Sequence, residues 1–528
     1  MIKIFRSLIP ICALLLLAGC DKDFEKVNTN PYSINSVDPA LLFAGAQRSH
    51  IGTWNAEHII VQQFVVPYNT GANLGFSFNV DIDGNSTPRW NQSYSDPANG
   101  NAPPVKNLVQ ALNLLGPSTT RVNLRSMIRI WKAQVFMGLV DTYGDVPYFD
   151  AGKAVSDVNF FPKYDDDAAI YDDLYKELKE SIAALNPSGD YVAADLFYGT
   201  NAQPSTKTSI ASDQVAKWKK LGNSLLLRLG MRYSKANPTK ATSIVTEAFN
   251  GGVMASNADN AFVKNDGTLY TQGDNVALRN FSQFNYAAEP FVEQLKSTND
   301  PRAQFMIAEF ADPGGVQNDP NPDVTLANQY GVPIGKNDAQ LSVAPYRGTR
   351  LGGLNYSQFN IYKLASPAAP EFWVTYAQTS LLLAEAAKRG WIPGGDVQAK
   401  IYYENGIAAD MAIYSLYPNT TPISNAAITT YINDPGVLYN PIDALKLINT
   451  QYWIVNIRNG AEAFANFRRS GFPALTPNPV TGALGTPGFA KRLSYPDVEA
   501  SANTANYNAA AAAIGGDKLT SRVFWDTP

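Results

Sequence analysis

The chain has 528 residues, of which 45% are apolar and 17% charged, long enough for a large core and too apolar for disorder. Its 42 basic and 46 acidic residues give a net charge of −4 with no long basic run, which argues against nucleic acid as a partner. Two cysteines and two histidines leave little for a disulfide framework, a zinc site or a histidine-based triad.

Lys3 and Arg6 precede an apolar run from Leu8 to Gly19, the charged start and short apolar stretch of a secretory signal. It is too short to span a bilayer, which takes about 20 residues. The run ends Leu17-Ala18-Gly19-Cys20, which resembles the bacterial lipobox, where the cysteine receives a diacylglycerol thioether and becomes the new N-terminus. We read residues 1–19 as a lipoprotein signal peptide and Cys20 as the lipid attachment site. Cys12 lies inside the signal, so the mature chain keeps no free thiol for a disulfide, a thiolate metal site or a nucleophile. Removal of Lys3 and Arg6 leaves 40 basic against 46 acidic residues. No later stretch is apolar for long enough to span, so the reading is a protein anchored to a membrane by acyl chains. Residues 20–40 are polar and broken by Pro31 and Pro39, a tether into a first helix near Leu41. Residues 41–528 then read as one α-helical binding domain.

Leu124, Ile128, Trp131, Val135 and Leu139 recur at helical spacing, and Gly144 and Pro147 stop that helix. A second helix starts among Asp165, Asp166 and Asp167, with Ile170, Leu174, Leu178, Ile182 and Leu185 on one face. A third is predicted over 213–235, with Val215, Trp218, Leu221, Leu225 and Leu229 inward. A fourth, PEFWVTYAQTSLLLAEAAKRG, has Phe372, Tyr376, Thr379, Leu383 and Ala386 on one face and Gly390 where a C-terminal cap is wanted. DVQAKIYYENGIAADMAIYSLY follows Pro393-Gly394-Gly395, so these two form an antiparallel hairpin. A last helix is predicted over 442–458, with Ile442, Leu445, Ile448, Tyr452 and Val455. Helices paired by short turns look like tetratricopeptide-type units, although the spacing is irregular.

Long polar stretches separate the helices: 67–105, 187–212, 250–285 and 311–360. They carry many aromatics, which disordered segments lack, so they read as ordered loops on a helical scaffold. FSFNVDIDGNSTPRWNQSY and RNFSQFNY interleave rings with Asn, Gln and Arg. The apolar C–H face of a sugar stacks on such rings while amides bond its hydroxyls. Phe78, Trp90, Tyr94, Phe284 and Tyr286 are therefore the candidate ligand-binding residues, Trp90 first for its large face. His50 and His58 read as structural. Asp81–Ser86, DIDGNS, offers alternating oxygens but has its glycine at the fourth place, not the sixth of a calcium loop, so a tight turn is favoured and no metal or cofactor is expected. Asp141, Asp145 and Glu462 are the carboxylates a glycoside hydrolase would use, a minor alternative because no βα alternation aims them.

The chain resembles the SusD/RagB-like nutrient-binding outer-membrane lipoproteins of Bacteroidetes. The likeness rests on the lipobox at Cys20, NTNPYSINSVDPALLFAGAQ, IWKAQVFMGLVDTYGDVPYFDAG, TYAQTSLLLAEAAKRG and QYWIVNIRNGAEAFANFRRSGFPAL. At the C-terminus RLSYPDVEASANTANYNAA and DKLTSRVFWD look like the family signature, with Tyr495, Pro496, Glu499, Asn503 and Asn506 at its spacings. The resemblance implies a mainly α fold, four tetratricopeptide-like helix pairs forming a scaffold packed against a loop-rich variable region. It further implies a non-enzymatic protein that captures an oligosaccharide or peptide. The ligand would pass to a SusC-like TonB-dependent β-barrel transporter, which the lipoprotein covers as a lid. Asp21, Asp23 and Glu25 resemble the signal that sends such lipoproteins to the cell surface. The competing reading is a tetratricopeptide-like scaffold that binds proteins and no nutrient.

Overall fold

Residues three and four apart share a helix face, so the apolar stripes of the sequence become the buried sides of the long helices. The computed structural model describes residues 37–49, 54, 56–68, 75–95, 103–117, 120–154, 157–200, 202, 206–281 and 284–527. Cys20, His50, the signal and the tether up to residue 36 lie outside them.

Helix α1 spans Pro39–Arg48, α2 Ala56–Ile60, α3 Pro88–Tyr94 and α4 Pro104–Leu115. Then come α5 (Val122–Tyr143), α6 (Asp167–Ala184), α7 (Ala211–Arg232) and α8 (Pro238–Gly251). They are followed by α9 (Gly273–Asn280), α10 (Glu289–Ser297), α11 (Tyr376–Lys388) and α12 (Gly395–Ile413). The series closes with α13 (Asn425–Ile432), α14 (Ala444–Val455), α15 (Gly460–Ser470), α16 (Asp497–Ala502) and α17 (Thr504–Ala513).

The scaffold helices pack as consecutive pairs, α5 with α6, α7 with α8, α11 with α12 and α14 with α15. The pairs also touch in order, α6 against α7, α7 against α11 and α11 against α14. The scaffold is thus mainly α and built of tetratricopeptide-like helix pairs. Leu124, Ile128, Trp131, Val135 and Leu139 of α5 are at most 1% exposed, as are Val215, Trp218, Leu221, Leu225 and Leu229 of α7. Each such aliphatic side chain contributes about 1.5–3 kcal/mol by leaving water.

Local chemistry ends the helices where the sequence indicates. The Asp166 carboxylate accepts from Ala169 N at 2.8 Å and caps α6. Thr375 and Gln378 form a reciprocal capping box at α11. At its other end Gly390 takes φ +72°, donating to Ala387 O while Trp391 N donates to Ala386 O, a Schellman stop that needs glycine.

Three fully buried arginines join helices from different pairs. Arg232 of α7 joins Asp141 of α5, at 3.0 Å, to Glu462 of α15, at 2.6 Å. Arg469 of α15 forks onto both oxygens of Glu385 in α11, each at 2.7 Å. Arg302 bonds Asp300, Asp410 of α12, Tyr431 of α13 and Gln451 of α14.

Two helix boundaries differ from the sequence reading. Glu371–Val374, including Phe372, is strand β8, paired with β2 (Ala261–Val263), because its extended edge pairs before Thr375 caps α11. The last helix pair begins at Ala444, and Ile442 is 91% exposed. The stretches read as loops also contain helices, α3 and the start of α4 in the first and α9 in the third. Beside the scaffold, β1 (Phe64–Val65), β3 (Tyr286–Ala287), β4 (Ile307–Ala308) and β7 (Gln358–Phe359) form an antiparallel sheet in the order β1-β3-β7-β4. This small sheet positions the site.

Candidate functional site: an apolar cleft with an amide rim

The two aromatic-amide segments meet, but around side chains other than the five rings named from sequence. A cleft of ≈ 310 Å³ opens between the 84–92 segment and α9, within the range of small-molecule sites. Trp54, Ile59, Phe64, Val66, Pro88 and Leu278 give it an apolar lining, and Asn85, Gln92, Asp274 and Asn285 supply polar groups. Phe281, directly after α9, also lines it and is 57% exposed.

The lining is held by bonds to buried neighbours. Trp54 packs against Phe359 of β7 with ring centroids 4.3 Å apart and ring planes tilted by 39°, and it lies 6.1 Å from Phe64 of β1. Its indole N–H donates to Asn275 Oδ1 at 2.7 Å, and Asn275 Nδ2 donates to Ser366 O at 2.9 Å. Asn285 Nδ2 donates to the carbonyls of Leu278 and Phe281, which fixes the chain leaving α9 and with it the Phe281 ring. Among the described lining residues the one ionisable group is Asp274, so the cleft suits a neutral, amphipathic ligand.

The five rings put forward from sequence do not line this cleft. Phe78 is buried in a 3-10 turn, and Tyr286 is fully buried in β3, where its hydroxyl accepts from Leu354 N at 2.8 Å. Phe284 is half-buried edge-on to Tyr68. Tyr94 donates to Pro147 O at 2.6 Å, and burial pushes its hydroxyl well above the usual range. Trp90 is 4% exposed, with Tyr94, Tyr143, Tyr164 and Tyr495 packed around it. These rings hold the loops in place, while Asn85, Gln92, Phe281 and Asn285 of the same segments reach the cleft. No sequence signal set Phe281 apart, because RNFSQFNY gives Phe281, Phe284 and Tyr286 the same polar setting.

The other sequence candidates are structural. His58 is fully buried with Nε2 3.1 Å from Ile457 O, and burial lowers its pKa to about 4. In DIDGNS, Asp83–Ser86 forms one helical turn; the Asp81 carboxylate accepts from Ser86 Oγ and Ser494 Oγ, and Asp83 accepts from Asp497 N. Asp141 and Glu462 are buried around Arg232, and the Asp145 carboxylate accepts from Asp167 N at 3.0 Å. None of these three carboxylates lines the Phe281 cleft.

The family model described as "Starch-binding associating with outer membrane" matches residues 31–496. The chain belongs to this SusD-like family. Among solved structures, a chitin-binding protein is 28% identical with a TM-score of 0.75, over 93% of this chain and 100% of that one. A Bacteroidetes AC2a SusD-like protein is 24% identical at a TM-score of 0.75, with the same coverage. A chitin-binding SusD homolog from Flavobacterium johnsoniae is 19% identical at a TM-score of 0.69, over 93% of this chain and 98% of that one. No curated protein sequence matches the chain. No helix among the described residues is long and apolar enough to cross a membrane. SusD-like proteins are binding proteins associated with the outer membrane, and in this SusD-like chain the 495–506 segment forms a packing junction. Tyr495 donates to Asp145 O at 2.8 Å, and Glu499 accepts from Tyr164 at 2.9 Å. The Asn503 and Asn506 amides donate to Pro162 O and Phe161 O.

Proposed function

We propose that this protein captures a neutral oligosaccharide in the Phe281 cleft. The observation that carries the reading is the exposed Phe281 ring beside an apolar lining, with Asn85, Gln92 and Asn285 as polar partners. A sugar ring lays its C–H face on the phenyl ring and turns its hydroxyls to the amides; Asn285, whose Nδ2 is bonded to the Leu278 and Phe281 carbonyls, offers only its oxygen as an acceptor. The family description and the chitin-binding names of two structural neighbours support a glycan over a peptide. Signal cleavage before Cys20 and acylation there would anchor residues 41–528, a single binding domain, to the outer membrane through the 20–40 tether, with the domain at the cell surface. Such a protein cannot move its ligand across the membrane, so it hands the ligand to a SusC-like TonB-dependent barrel; it performs no chemistry on it. Calorimetry with chito-, malto- and manno-oligosaccharides beside a mixed peptide library tests the reading. Phe281→Ala should weaken the bound glycan by about 1–3 kcal/mol, as for a hot-spot ring. Binding of peptides alone would replace the glycan reading, and binding of neither would favour a tetratricopeptide-like scaffold for proteins.

A further inference from the structure

A second, larger cleft lies at the opposite edge of the sheet from the Phe281 site. Its volume is ≈ 500 Å³, and Glu309, Asp319, Asn321, Asp323, Asn328, Tyr330, Arg347 and Arg350 line it with Ala311. Glu309 directly follows β4, the outer strand, whereas the first cleft takes Phe64 from β1. Three strand spacings, about 14 Å, separate those strands. Backbone bonds of 2.9 Å in both directions between Glu309 and Asp323 extend the sheet edge into the wall of the second cleft.

The charges lining it are already engaged. Glu309 lies 3.4 Å from Arg347 and 3.7 Å from Arg350. The Asp319 carboxylate accepts from Ala311 N, and that of Asp323 accepts from Thr325 N and Asn328 Nδ2. Arg347 lies over the Tyr330 ring, 3.7 Å from its centroid, and donates Nε to Asn355 O. Among the lining groups that carry no hydrogen bond are the Asn321 amide and the Tyr330 hydroxyl, both on exposed residues, beside guanidinium N–H groups of Arg347 and Arg350 that can donate to a hydroxyl oxygen. Asp319-Pro320-Asn321-Pro322-Asp323 is also stiff, because each proline fixes its own φ and restricts the residue before it. A rigid wall loses little entropy when a ligand is bound.

We propose that this cleft is a second binding site, for a neutral, hydroxyl-rich sugar unit. Three carboxylates against two arginines repel an anion, and the arginines beside Glu309 disfavour a cation. A hydrocarbon ligand would leave the polar lining unbonded. Hydroxyl groups, which donate and accept, match the Asn321 amide and the Tyr330 hydroxyl.

The test is saturation-transfer NMR on the full mature domain with glucose, galactose and methyl α-mannoside, and with galacturonate and glucosamine as charged comparators. Three forms are compared: wild type, Phe281→Ala, and the double variant Asn321→Ala/Tyr330→Phe made in the Phe281→Ala background, so that the first cleft does not mask the second. The latter leaves the Arg347-stacked ring and the ion pairs in place. Neutral sugars should still bind Phe281→Ala, and their affinity should fall at least about tenfold in the double variant, the effect of one or two lost hydrogen bonds. Unchanged binding in the double variant overturns the proposal, as does loss of all monosaccharide binding in Phe281→Ala alone. Binding of only galacturonate or only glucosamine also overturns it. A loss confined to the double variant would retain the second site even if the Phe281 cleft failed its own oligosaccharide test.

Discussion

Trp54 and Asn275, 221 positions apart in the chain, are joined by an indole N–H donated to an amide oxygen across 2.7 Å. The bond ties the segment ahead of α2 to α9, so the two sides of the Phe281 cleft hold a fixed distance. Asn275→Ala leaves a buried indole N–H and the Ser366 carbonyl without a partner, which costs about 1–3 kcal/mol. Trp54→Phe removes the same bond from the other side. A double-mutant cycle read by urea denaturation should give a coupling above about 0.5 kcal/mol, and glycan affinity should fall in both single variants. Additive effects would mean that the bond contributes nothing to the cleft.

Trp90→Ala should act on stability alone. The ring is 4% exposed among four tyrosines, so its removal opens a cavity and costs about 3–5 kcal/mol. Glycan affinity of the folded fraction should match wild type in calorimetry. An affinity loss without a fall in Tm would return Trp90 to the ligand surface.

Arg302→Met should destabilise the protein by about 3–5 kcal/mol, because Asp300 remains buried without its cation while Asp410 keeps only Arg458. Adding Asp300→Asn removes the stranded charge and should recover part of the loss. Chemical denaturation of the single and double variants checks this, and no recovery would show that packing dominates.

Stability should respond to pH through Asp145 and Asp167. Burial raises Asp145 to about 6 and Asp167 to about 7, the neighbouring carboxylates adding to the effect. Their folded pKa values lie above the unfolded ones, so the native state binds more protons and stability falls as pH rises from about 4 to about 7. His58, lowered by burial to about 4, acts in the opposite direction between 4 and 6.5. Asp167→Asn removes one ionisation and keeps an oxygen for Phe524 N, which now bonds the carboxylate at 2.8 Å. Its Tm relative to wild type should climb across pH 4–7 and level off above. A constant difference would place both carboxyls in the ordinary range.

Cys20→Ala should abolish metabolic labelling with a fatty acid and release the domain from the outer membrane. Gentle detergent extraction of the wild-type protein, with its co-encoded barrel expressed, should recover that barrel in near-stoichiometric amount. Label on the variant would move the anchor elsewhere, and recovery of monomer alone across several detergents would count against delivery to a transporter.

By itself the sequence determined the helix pairs, because helical spacing is local: Leu124 to Leu139 and Val215 to Leu229 lie on single faces whatever packs against them. Local chemistry also set the Asp166 cap and the Gly390 stop. The lipobox-like run ending at Cys20 is a local expectation of the same kind, and it lies outside the described residues. Tertiary structure decided which rings are buried. Trp90 is enclosed by Tyr143, Tyr164 and Tyr495, which come from distant parts of the chain, whereas Phe281 has no such company. Both sit in polar, aromatic-rich sequence, and nothing within ten residues separates them. The buried ion pairs were equally hidden, since Arg232 finds Glu462 across 230 positions and a charge in sequence reads as solvated until a partner offsets its burial. Burial is a property of neighbours brought together by the fold, and it alone separates a ring that packs from a ring that binds.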